Sequence, residues 1–158
     1  MEIMEMDRKQ WESKMGDLWC ELNASKEAYI ALSGQHKYPQ KEPFFSQQAA
    51  QRMDFEKIFG DELTTVKEGG IIKDCKDKEF IFDPVTGILA NDNLSDVAID
   101  RLILQKELEL IGKYQEVLSY PYIPDATAAI LQAEVEDMNN MVLKLRIDLN
   151  LEEKVYGK

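Results

Sequence analysis

Apolar residues along this chain recur mostly at spacings of three and four, the period of a helix that buries one side. Trp11, Met15, Leu18, Leu22, Ser25, Tyr29 and Leu32 keep one stripe in register. Asp7 and Gln10 stand at capping-box spacing, with Met6 and Trp11 at the two staple positions, so the first helix is expected to start at Asp7. Gly34 supplies a C-terminal cap. Gln35 to Pro43 reads as a loop, and Ser46 as the cap of a second, shorter helix that Gly60 and Asp61 interrupt.

The pattern changes after Gly69-Gly70. Ile71-Ile72, Phe80-Ile81-Phe82 and Ile88-Leu89 are short apolar runs between turn residues, the signature of strands. Asp83-Pro84-Val85-Thr86-Gly87 places proline and glycine where a tight turn wants them, which predicts a hairpin between the last two runs.

Helical spacing then resumes. Ser95 can cap, and Ile99, Leu102, Ile103, Lys106, Leu110, Ile111, Tyr114, Val117 and Leu118 form a broad stripe that Pro121 and Pro124 end. Asp125 opens a last helix in which Leu131, Val135, Met138, Val142, Leu145 and Leu149 hold strict four-three spacing, while Ile130, Met141 and Ile147 widen the face. The fold class is therefore mainly α: a helical bundle of about four helices with a small inserted β-hairpin, forming one domain over residues 1–158. Expected helices cover about 7–33, 46–59, 95–119 and 125–151, with the β element at about 64–90. The four-three stripes on the first and last helices could close one bundle or equally pair with a second copy.

Charge narrows the function. Thirty acids stand against 19 bases, a formal net charge of −11, which argues against nucleic-acid or anionic-membrane binding, since phosphate affinity rests on concentrated Lys and Arg. No signal-peptide pattern or spanning apolar run is seen. The expectation is a cytoplasmic protein, or one within an assembly formed in the cytoplasm, without direct membrane contact. Cys20 and Cys75 lack metal or redox spacing, so a reduced pair is the default in that compartment, with a bridge left open.

Candidate chemistry is sparse. Glu107, Glu116, Glu134 and Asp137 invite comparison with carboxylate metal bundles, but those need Glu-x-x-His pairs, and the sole histidine, His36, lies in a loop. Solvated helix faces explain these acids better. No Ser or Cys nucleophile motif accompanies His36, Gly69-Gly70 lacks the phosphate-loop continuation, and Asn91 to Leu102 fails the calcium-loop pattern at Asp96 and Leu102. No catalytic residue, metal or cofactor is assigned.

Two features point to protein contacts. Between Lys113 and Lys144 the chain has Glu116, Asp125, Glu134, Glu136 and Asp137 and no base, an acidic face. Phe44, Phe45, Tyr120 and Tyr122 sit in or beside connections, where aromatics either plug bundle ends or anchor a partner. The partner-binding candidates are thus Phe44, Phe45, Tyr120, Tyr122, Glu134, Glu136 and Asp137. The leading reading is a non-enzymatic interaction or assembly subunit of a larger complex, such as a viral or phage particle or accessory machine, binding another protein or copies of itself. The alternative is an acidic inhibitor that mimics nucleic acid toward a basic partner.

Overall fold

The computed structural model describes residues 2–66, 75, 78–91, 94–121 and 123–156. Its helices are α1 (Glu2–Gly34), α2 (Glu42–Val66), α3 (Asp83–Asn91), α4 (Asp96–Leu118) and α5 (Asp125–Tyr156), with a 3-10 turn at Pro39–Lys41. The main packing partners are α1 with α2 and α4 with α5, and contacts of α1 with α4 and of α2 with α5 close the bundle.

Cross-links between helices fix their directions. Lys14 in the first half of α1 pairs with Glu116 near the end of α4, and Tyr29 in the second half of α1 bonds Glu107 farther back along α4, so these helices run antiparallel. Thr127, early in α5, donates to Glu62, late in α2. The four long helices α1, α2, α4 and α5 thus run up, down, down, up. The connection from α2 to α4 must therefore travel the length of the bundle, and it carries α3, which packs on α1 and α4.

Most expected helices are present, with ends that differ for local reasons. Ser95 caps α4 by accepting from Ala98 N at 3.1 Å. The first helix runs through the Asp7 capping box and starts at Glu2. It ends at Gly34, but the left-handed backbone falls on His36, at φ 54°. The second helix starts at Glu42, upstream of Ser46, because Pro43 suits a first turn whose amides have no helical acceptor. It continues through Gly60 to Val66; there the missing side chain faces Trp19, whose Nε1 lies 3.8 Å from where a Cβ would stand.

The expected β-hairpin is the main correction. Among the described residues there is no strand. Asp83-Pro84 begins α3 rather than turning a hairpin: Asp83 Oδ2 accepts from Phe80 N at 2.8 Å, and Val85 and Thr86 donate to Phe82 O. A tight turn and the first turn of a helix share their dihedrals, so the same residues satisfy both. Phe80 to Phe82 form the turn before α3, with Phe82 buried, and Ile88 and Leu89 fall in the helix. Residues 67–74, including Gly69-Gly70 and Ile71-Ile72, lie outside the described residues.

Cys20 and Cys75 are bridged, with Cα atoms 5.6 Å apart, so the reduced pair is also corrected. The bridge fastens the α2–α3 connection to α1, beside two further links: Lys78 to Asp17 at 3.7 Å and Ile81 N to Glu21 Oε1 at 2.9 Å. No described helix is long and apolar enough to cross a membrane.

Candidate functional site

The interior contains a polar layer that draws on four helices. Arg52 of α2 is fully buried, and its Nη2 donates to Glu107 Oε1 of α4, also fully buried. Tyr29 of α1 donates to the other oxygen of Glu107 at 2.6 Å, and the Arg52 guanidinium lies 5.5 Å from the Tyr29 ring centre. Arg52 Nη1 reaches Ser25 Oγ at 3.3 Å, and Ser25 in turn donates to Leu22 O at 2.7 Å. Farther along α4, Tyr114 donates to Glu134 Oε1 of α5 at 2.6 Å.

Burial and neighbouring charge set the titration of this layer. Burial, and then the adjacent Glu107 carboxylate, push the Tyr29 hydroxyl well above its ordinary value; burial and Glu134 do the same to Tyr114. Burial opposes the charge on Arg52, but Glu107 and Tyr29 overcome it and hold the guanidinium protonated. Burial lifts Glu134 to about 8, against the opposing pull of the Tyr114 hydroxyl and Arg52. Arg52 Nε and Glu134 Oε2 have no hydrogen-bond partner among the described residues.

Solvated faces therefore do not account for Glu107 and Glu134. A buried arginine neutralises Glu107 where a metal bundle would hold a cation, and among the described residues no group of three His, Cys, Asp or Glu could hold a metal ion. The layer fastens helices to one another. Nothing in the helical period marks Arg52 as internal, so the sequence alone does not single it out.

The partner candidates separate in space. Phe45 is fully buried, and Phe44 is half-buried, its ring 6.3 Å from Tyr29 and 5.9 Å from Phe45. With Tyr38, 6.3 Å from Phe45, they plug the bundle near the α1–α2 connection. Tyr120 is half-buried against the core, and Tyr122 lies outside the described residues. Glu136 and Asp137 are exposed, whereas Glu134 points inward and contributes no acidic surface. Glu116 is held by Lys14 at 2.8 Å, a contact that lowers the carboxyl and raises the ammonium.

A cleft of about 500 Å³ opens beside the disulfide between α1, α4 and residues 78–80. Its charges answer one another: Lys14 and Lys113 approach Glu116 at 2.8 and 3.9 Å, and Lys78 approaches Asp17. Burial raises Glu21 at its wall, against the Ile81 amide that donates to it.

The outer side of α5 is the least expected surface. Leu143, Ile147 and Leu151 are 60, 52 and 57% exposed on successive turns. The signal was present as a second stripe opposite the buried one, masked because Ile147 can be read as widening the inner face. No family model, curated protein or solved structure matches this chain.

Proposed function

We propose that this protein is a non-enzymatic interaction or assembly subunit of a larger complex, joined through the outer side of α5. The ridge of Leu143, Ile147 and Leu151 carries this reading: three large aliphatic side chains, each more than half exposed, keep apolar surface in water until another surface covers them. The polar layer supports it, because Arg52, Glu107 and Tyr29 direct their hydrogen bonds at one another and hold helices in place.

The disulfide bears on where such an assembly works. Bridges persist in secreted, periplasmic and particle-surface settings and are opened in a reducing cytoplasm. Cys20–Cys75 thus favours an oxidising setting, a viral or phage particle among them, over the cytoplasm expected from sequence. An acidic inhibitor is the alternative; it would rely on Asp125, Glu136 and Asp137, without Glu134.

Native mass spectrometry of the full chain, purified gently without reductant, tests the proposal. A defined oligomer or a retained partner, lost when Leu143, Ile147 and Leu151 are all replaced by serine, is expected. A monomer without partners, or a complex unaffected by the triple replacement, would overturn it.

A further inference from the structure

The outer stripe of α5 changes size along its length. At spacings of three or four, Ala126, Ala129 and Ala133 occupy its first half and Leu143, Ile147 and Leu151 its second, and all six are exposed. At about 100° per residue, these positions lie opposite the buried Met138, Leu145 and Leu149. One face thus has a shallow half and a raised half, separated by Glu136 and Asn140.

We infer that the occupant of this face is a second copy of the chain, its α5 lying antiparallel across the first; the inference rests on the assembly reading and names the partner. A two-fold axis beside Met138 puts Ala133 opposite the partner's Leu143 and Ala129 opposite the partner's Ile147. Ala126 comes within a residue of the partner's Leu151. Large side chains then fill the space over small ones on both sides of the axis, the condition for close interhelical packing. A parallel pair would set large on large at one end and leave the alanines apart at the other.

Charge selects the same direction. Asp125 lies at the shallow end, Glu136 and Asp137 lie in the middle, and the raised half carries the exposed bases Lys144 and Arg146 with the acid Asp148. Antiparallel packing parts Lys144 and Arg146 from their own counterparts and turns Lys144 toward the partner's Asp137, with Glu136 and Asp137 beside the axis; parallel packing lays every charge on its like.

Sedimentation of the oxidised full chain across a micromolar concentration series tests this. A monomer–dimer equilibrium is expected, lost over the same range in Ile147→Asp and also in Ala133→Phe, with helical content unchanged in both. The second variant is decisive because it adds apolar area: nonspecific sticking would grow stronger, whereas a size-matched pair breaks. A wild-type monomer at every concentration, or a dimer that survives either substitution, would overturn the inference. Should that monomer still hold a different protein that Ile147→Asp releases, the assembly reading stands and the second copy falls; should it hold none, both fall.

Discussion

The two sides of α5 exchange the usual places of polar and apolar residues. Its inner side buries a carboxylate, Glu134, while its outer side exposes Leu143, Ile147 and Leu151. The inner departure is compensated within the chain: Tyr114 donates to Glu134, and burial favours the neutral acid. The outer departure has no such compensation inside the monomer. A misplaced polar group answered by its own fold reports on architecture, and the apolar ridge left in water is the ground for the proposed partner.

The comparison breaks most severely at Arg52. Arg52→Ala leaves Glu107 buried without its counter-charge, and removing one member of a buried pair costs about 3–5 kcal/mol. Urea unfolding should show this loss, and Arg52→Met with Glu107→Leu should recover much of it. Reduction of Cys20–Cys75 comes next. Its separation of 55 residues corresponds to about 4 kcal/mol of chain entropy, seen as a lower thermal midpoint in reductant with α1, α2, α4 and α5 retained in circular dichroism.

Glu134 sharpens the inner side through pH. Its ordinary value is 4.5 and its folded value about 8, so between those limits the native chain binds a proton that the unfolded chain has released. This contribution is full below pH 4.5 and is lost as pH rises through 8, by a few kcal/mol in total. Glu134→Gln keeps an acceptor for Tyr114 and should flatten the decline; equal slopes in both proteins would contradict the assignment. The smallest expected effect on folding belongs to the outer side: Leu143→Ser should change monomer stability by less than about 0.5 kcal/mol, measured by unfolding at low concentration.

The long helices were readable because their stripes and caps are local. Ser95 acts as read, and Pro121 and Pro124 separate α4 from α5. Residues 83–87 misled because proline after aspartate starts a helix as readily as it turns a hairpin. The polar layer was hidden for a different reason. Glu107 is one of many acids at helical spacing, and its burial depends on Arg52 and Tyr29 arriving from α2 and α1. The same spacing alone places Glu134 on an acidic face, although only its neighbours Glu136 and Asp137 point outward. Local periodicity reports which residues share a side; which side faces the core follows from packing.

Cross-linking tests the pairing of α5 most directly. Chains carrying Ala133→Cys are mixed with chains carrying Leu143→Cys, with the native bridge kept oxidised, and new interchain disulfides are separated without reductant. The expected result is a cross-linked dimer in the mixture and none from either variant alone, because only unlike positions meet across the two-fold axis. Equal cross-linking within each variant, or none in the mixture, would contradict an antiparallel second copy.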